Sequence, residues 1–296
     1  MSTIRCNIDG REVTCEAGCT VLEVAKAVGI DIPTLCYFKD LNKLGACRVC
    51  VVEIEGMPRL MPSCMTQVKD GMVVHTESER VIEARRQTID LLCKHHRMDC
   101  EYCPHYTFCE LHAVIRKLGI DDRRYSKVYQ ERSADESSRS IVRDYSKCIR
   151  CRRCVSTCKA QGVEAIGALR RAEGTIIGTL VPMAQTNCIG CGQCVRNCPT
   201  GALFVKDDTD ELWRARNRKK KIVFGIAPET AANIGRFFGA KEDKDEFGRL
   251  TAICRKAGAH EVFDITGVRQ AAVNELADKI QRRTEREEAR VTISLC

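Results

Sequence analysis

The sequence predicts an α+β chain assembled from several small modules rather than one layered domain. Three observations predict it. About the first 75 residues read as short strands around a single helix. A Cys-rich run, "CIRCRRCVSTC" at 148–158, recurs at 188–198 with the same Cys-x2-Cys-x2-Cys-x3-Cys spacing. From Lys221, "KIVFGIAPETAANIGRFFG" opens a βα pattern.

Taken in order, "STIRCNIDGREVTCE" alternates in polarity and turns at Asp9-Gly10, as a β-hairpin does. In "CTVLEVAKAVGI", Val21, Leu22, Val24, Ala25 and Val28 fall at helical spacing, and Gly29 supplies the stop. A Cys-rich loop follows, then the apolar runs "CVVEIEG" and "GMVVHTE". Strands crossing one helix in this way suggest a β-grasp over 1–77. From Ser78 to about Leu118 the pattern is helical, interrupted by "CEYCPHYTFC", which gives a small helical module at 78–120. "DDRRYSKVYQERSADESSRS" is polar and Ser-rich and reads as a surface connection. The doubled Cys run occupies 138–208, and an α/β segment takes 220–296.

Composition narrows the function classes. The 296 residues suffice to bury real cores, so the 21 Cys are not needed as cross-links for folding. No apolar leader opens the chain and no apolar run approaches a membrane span, so a cytoplasmic chain without a membrane span is expected. In a reducing cytosol, Cys-x2-Cys pairs point to bound metal rather than disulfides. The net charge of +8 arises from 48 basic and 40 acidic residues, mostly interspersed. The one clear basic run, "RNRKKK" at 216–221, has no aromatic residues interleaved with it and reads as a solvated linker, so no nucleic-acid partner is expected. No Gly-rich dinucleotide fingerprint is present.

The repeated run has the spacing of bacterial ferredoxins, in which three thiolates of one run and the last thiolate of the other hold each 4Fe-4S cube. That rule assigns Cys148, Cys151, Cys154 and Cys198 to one cube, and Cys188, Cys191, Cys194 and Cys158 to the other. Upstream, Cys36, Cys47, Cys50 and Cys64 are separated by 10, 2 and 13 residues. They depart from the plant-type 2Fe-2S pattern only in the first gap. Gly45 and Ala46 in that loop are small enough to let backbone amides approach the sulfurs. Between these modules, His96, Cys100, Cys103 and Cys109 form a further four-ligand set. It suits tetrahedral zinc as well as iron; in line with three other clusters it reads most simply as a 4Fe-4S cube with one His ligand. His95 is the alternative imidazole. The expected cofactors are thus one 2Fe-2S and three 4Fe-4S clusters. Cys6, Cys15, Cys19, Cys93, Cys254 and Cys296 show no metal spacing and are expected to be core hydrophobes or plain thiols.

The order of "IPTLCYFKDLNKLGACRVCVVEIEG", "HHRMDCEYCPHYTFCELH" and "CIRCRRCVSTC"/"CIGCGQCVRNCPTGALF" resembles the amino-terminal electron-transfer region of multi-cluster FeFe hydrogenases. The first two modules also resemble the large iron–sulfur subunit of NADH:quinone oxidoreductase and the start of some formate dehydrogenases. "KKKIVFGIAPETAANIGRFFG" and "GRLTAICRKAGAHEVFDITGVRQAAVNELADKI" are similar to the opening of the FeFe hydrogenase catalytic domain. The resemblance implies a relay of single electrons, with a flavin-containing NAD(P)H-oxidising subunit or a ferredoxin as partner, and no catalytic acid or base. The family's catalytic cluster hangs from four cysteines in a domain far longer than 220–296, so a complete site, and an enzyme activity, would need a further chain. Cys296, in "VTISLC", is a poor match to the first of those ligands. With so short an α/β segment, "KIVFGIA" is expected to lack strand neighbours. Arg152 stands where the family usually has Gly, a departure expected to bear on packing rather than ligation.

Overall fold

A two-residue turn starts the architecture. Asp9 and Gly10 both take positive φ, 50° and 82°, the type I′ geometry that matches strand twist. It joins β1 (Thr3–Ile8) to β2 (Arg11–Glu16) with Ile8 opposite Arg11. The computed structural model describes residues 3–121, 133–170, 174–237 and 246–285. These fall into two compact units, divided after Lys206.

In the first unit, α1 (Val21–Ala27) is followed by β3 (Val51–Ile54), β4 (Met61–Pro62) and β5 (Met72–His75). The sheet order is β2-β1-β5-β3-β4, with β1 and β5 parallel and the other pairings antiparallel. One helix crossing such a mixed sheet is the expected β-grasp; β4, two residues long, has no signal in the sequence. Val21, Leu22, Val24 and Ala25 pack against Ile8, Val52 and Val74. A reciprocal cap starts the helix: Glu23 N donates to Thr20 Oγ1 (3.3 Å), and Thr20 N donates to Glu23 Oε2 (3.0 Å). Thr20→Ala is expected to cost about 1 kcal/mol. Native-state hydrogen exchange should show it as a roughly fivefold faster opening at the Val24 and Ala25 amides.

α2 (Glu79–Lys94), capped by Ser78, and α3 (Glu110–Lys117) flank two short 3-10 turns, Cys100–Tyr102 and Tyr106–Phe108. Their apolar faces do not form a separate core. Ile89, Leu111, Val114 and Ile115 share one cluster with Leu35, Cys36 and Val49 from the β-grasp loop and with Ile149 and Cys151 from the first Cys run.

The doubled run is bracketed by β6 (Ile141–Arg143) and β9 (Leu203–Val205), which pair antiparallel across some 60 residues, Arg143 opposite Leu203. Between them come α4 (Arg153–Ala160), a hairpin of β7 (Gly167–Leu169) and β8 (Ile176–Gly178), and α5 (Gln193–Arg196). The hairpin was not legible in the sequence. Most of the polar connection read at 121–140 lies outside the described residues. Its described end is anchored, since Asp135 Oδ2 accepts from Met183 N at 2.8 Å.

The second unit begins with α6 (Thr209–Asn217), so the basic run read as a linker starts inside a helix. β10 (Val223–Ile226), α7 (Pro228–Phe237), α8 (Glu246–Lys256), β11 (Glu261–Asp264) and α9 (Thr266–Glu285) follow. The expectation that "KIVFGIA" lacks a neighbour is corrected here. β10 pairs in parallel with β11, Val223 opposite Glu261, and Ile226, Ala231, Leu250 and Cys254 cover it. Two helices supply the crossover that a parallel pair requires. Cys296 lies outside the described residues.

Candidate metal centres

Cys36, Cys47, Cys50 and Cys64 are all buried on the loop between α1 and β4. Cys47 N donates to Cys36 Sγ at 3.5 Å, and the Cys50 and Cys64 sulfurs are 3.3 Å apart. Hydrogen bonds from Cys36 and Cys64 lower the pKa of Cys47 and Cys50, while Cys36 and Cys64 themselves are raised. Two of the four sulfurs are therefore biased toward thiolate, the ligand form. Gly45, with φ 57°, is small for a different reason than expected: a β-carbon there would run into Met65 Sδ.

His96 is buried and its Nδ1 has no hydrogen-bond partner, whereas His95, at the end of α2, is exposed. Burial, then the nearby Lys147 ammonium, lowers the His96 pKa to about 4. The ring is neutral at pH 7, as a metal-ligating imidazole must be. An orphaned, dry ring nitrogen is what a ligand position looks like. Cys100, Cys103 and Cys109 flank the two 3-10 turns, and Cys109 has Cys103 and Cys198 as electrostatic neighbours.

Cys148, Cys151, Cys154 and Cys198 line one cavity with Arg143, Ile149, Ile177 and Thr200. The remaining set is gathered too: burial raises the Cys194 pKa to about 11, and Cys188, Cys191 and Cys158 contribute to the rise. Each helix after a Cys run starts from a left-handed residue, Arg152 (φ 64°) before α4 and Gly192 (φ 72°) before α5. Arg150 (58°) and Gly190 (68°) repeat the match. The two halves share a backbone, and the first places exposed arginines where the second places glycines. The departure at Arg152 thus acts through backbone strain, of order 1–2 kcal/mol. Among the described residues no three His, Cys, Asp or Glu side chains are gathered closely enough to hold one lone ion.

Polar contacts tie these sets together. Buried Asn42 Nδ2 donates to the carbonyls of Cys36 (2.6 Å) and Cys151 (3.2 Å). Glu110 N, next to Cys109, donates to Pro199 O, next to Cys198, at 2.9 Å. Arg153 Nη1 and Nη2 both meet Glu110, at 2.6 and 2.8 Å, and Nη2 also reaches Tyr37 O. Lys147, 2% exposed, pairs with Asp99 at 2.9 Å. None of Asn42, Arg143, Lys147 and Arg153 stands out in the sequence; a buried charged or amide residue within or beside a ligand run is the signal that could have found them. Of the cysteines outside the four sets, Cys6, Cys93 and Cys254 are buried, as core hydrophobes would be, and Cys15 and Cys19 are half-buried.

Comparison with known proteins agrees with this geometry. Residues 1–79 match the family model of the 2Fe-2S iron-sulfur cluster binding domain, 141–205 the 4Fe-4S dicluster domain, and 220–296 the iron only hydrogenase large subunit, C-terminal domain. The chain is 38% identical over 275 residues to the NADP-reducing hydrogenase subunit HndD of Solidesulfovibrio fructosivorans, covering 89% of this chain and 47% of that one. It is 40% identical over 200 residues to the alpha chain of the NADPH-Fe(3+) oxidoreductase of Geobacter sulfurreducens (67% and 24%). Iron hydrogenase 1 of Clostridium pasteurianum is 32% identical over 286 residues (93% and 49%). The chain spans about half, or less, of the length of these relatives. Among solved structures, a chain of the NAD+-reducing [NiFe]-hydrogenase in the H2-reduced state superposes with a TM-score of 0.65 at 29% identity, covering 69% of this chain and 88% of that one. No helix among the described residues is long and apolar enough to cross a membrane. In this chain, then, members of the 2Fe-2S cluster-binding and 4Fe-4S dicluster families precede a segment of the iron only hydrogenase large-subunit family.

Proposed function

We propose that the chain relays single electrons along one 2Fe-2S and three 4Fe-4S clusters, as part of a hydrogenase or an NAD(P)H-oxidising complex. The 2Fe-2S cluster is assigned to Cys36, Cys47, Cys50 and Cys64. The cubes are assigned to His96/Cys100/Cys103/Cys109, to Cys148/Cys151/Cys154/Cys198 and to Cys188/Cys191/Cys194/Cys158. The observation that carries the reading is the cavity lined by Cys148, Cys151, Cys154 and Cys198, which are three thiolates of one run and the last of the other. When bound, the clusters supply one-electron chemistry; the protein supplies spacing, burial and hydrogen bonds to the sulfurs. The backbone does so at Cys148, which accepts from Arg150 N at 3.4 Å, and at Cys158, which accepts from Ala165 N at 3.2 Å. A flavin-containing NAD(P)H-oxidising subunit or a ferredoxin is the partner chemistry that fits, and the names of the relatives, an NADP-reducing hydrogenase and an NADPH-Fe(3+) oxidoreductase, support it.

Iron and acid-labile sulfide after anaerobic reconstitution test the assignment. About 14 of each per chain are expected, two from the 2Fe-2S site and four from each cube. A value near 10 with one zinc would return the His96 set to a zinc site. The match over 220–296 favours a second reading, in which the same electrons serve hydrogen oxidation or proton reduction in a catalytic domain of which that segment is a part. Hydrogen evolution from reduced viologen by the native complex would support it; electron transfer without hydrogen would leave the relay alone.

A further inference from the structure

The two Cys runs share a backbone but not an electrostatic setting. Arg143, five residues before Cys148, is 1% exposed and lines the cavity of the Cys148/Cys151/Cys154/Cys198 set. Its Nη2 lies 3.1 Å from Cys148 Sγ and also donates to Ile177 O; its Nη1 is 4.0 Å from Cys154 Sγ. The guanidinium carbon sits 5.4 Å from the centre of the Tyr145 ring. The residue five before Cys188 is Met183, equally buried at 2% exposed and uncharged.

Other buried cations near this set are already neutralised. Lys147 pairs with Asp99, and Arg153 with Glu110. Among the described residues Arg143 meets no carboxylate; the groups facing it are the two sulfurs, a carbonyl and a ring. A buried cation without an anion is costly, so the negative charge that balances Arg143 is that of the ligand sulfurs. Burial lowers the Arg143 pKa, but Cys148, Cys154 and Cys198 more than offset this and the net direction is up. The guanidinium is charged in every accessible state.

We infer that Arg143 is a positioning residue that makes the cube held by Cys148, Cys151, Cys154 and Cys198 easier to reduce than the cube of the second run. The inference rests on the assignment of that cube to those four cysteines. Reduction adds one electron, no bond forms or breaks, and the added negative charge appears beside a fixed cation that water cannot screen. Backbone amides donate to sulfur in both halves, so they do not separate the cubes. Arg143 against Met183 does.

The test is a redox titration with chemical reductant, followed by low-temperature electron paramagnetic resonance, of the reconstituted full chain and of Arg143→Met and Arg143→Lys. Arg143→Met, which copies the second run, is expected to lower the reduced-to-oxidised ratio of one cube at least tenfold at fixed potential. That is about 59 mV for one electron. The other clusters should shift less than twofold, and Arg143→Lys should retain most of the wild-type value. A full set of clusters with no shift in Arg143→Met would overturn the inference, and so would equal shifts in both variants, which would make the effect one of packing.

If Arg143→Met fails to assemble the cube, the wild-type protein decides. With 15N-guanidinium arginine, pulsed resonance should show nitrogen coupling at one reduced cube that disappears in Arg143→Lys; its absence from the wild type, or its persistence in the variant, would overturn the inference. Too few cubes by iron and resonance in the wild type would instead refute the ligand assignment.

Discussion

Gly201→Ala is expected to strip the His96, Cys100, Cys103 and Cys109 site of its cluster and leave the other three loaded. A β-carbon on Gly201 would stand 2.5 Å from Cys103 Sγ, 3.4 Å from His105 Cβ and 3.5 Å from Lys147 Cδ. The first distance is well inside van der Waals contact. Lys147 can give way, as the aliphatic stem of a long side chain. Cys103 cannot do so and still ligate, because its sulfur is fixed at both ends. Gly201 does not have a positive φ, so sterics alone oppose the substitution. Overpacking costs about 1–3 kcal/mol, enough to displace one sulfur and open the site. Iron should fall from about 14 to about 10 per chain, with loss of one cube's resonance. Gly162→Ala is the control: Gly162 has φ 69° and nothing within 4 Å of its would-be β-carbon, so it tests strain without a clash. It should keep all the iron and lose about 1–2 kcal/mol of stability. Full iron in Gly201→Ala would show that the Cys103 sulfur is not held where ligation requires.

The local parts of this molecule were legible because their causes are local. Asp9-Gly10 is a type I′ turn by its own φ preferences, and the apolar spacing of Val21, Leu22, Val24 and Ala25 selects the buried face of α1. The ligand sets follow from covalent spacing, and the structure places Cys148, Cys151, Cys154 and Cys198 about one cavity although Cys198 is 44 residues from Cys154 in the chain. What was not legible is made by residues with no periodic signal. β7 and β8 are three residues each, too short for alternation to register. Arg150 and Arg152 give no sign alone of left-handed backbone; only alignment with Gly190 and Gly192 shows it. The partner of β10 lies beyond two helices, so its existence depends on a crossover that a linear reading does not count. The contacts that join one ligand set to the next come from Asn42, Arg143 and Arg153, whose side chains look like solvated residues in sequence and are buried in fact.

Among those contacts Arg153 is expected to matter most for stability. It sits within the first Cys run, between Cys151 and Cys154, and is 4% exposed. Its guanidinium makes a bidentate pair with Glu110 at the start of α3, donates to Tyr37 O at 2.9 Å beside Cys36, and lies 5.6 Å from the Phe38 ring centre. Three ligand-bearing segments therefore meet on one side chain. Breaking a buried ion pair costs about 3–5 kcal/mol when the surviving charge stays buried. Glu110 is 44% exposed and can turn to water, which brings the expected cost of Arg153→Met to about 2–3 kcal/mol. Denaturant unfolding of the loaded chain should show it as a lower midpoint. A double-mutant cycle with Glu110→Gln should give coupling of about 1–2 kcal/mol, because the two residues share bonds. A cost below about 0.5 kcal/mol would place Arg153 with ordinary surface substitutions. The direction of the loss also follows from the geometry. Arg153→Met leaves the Cys151 and Cys154 sulfurs in place but frees Tyr37 O and the first turn of α3. Exchange protection should therefore fall around Tyr37 and Glu110 before iron is lost from the first run, and iron loss preceding it would mean that Arg153 serves the cavity rather than the seam.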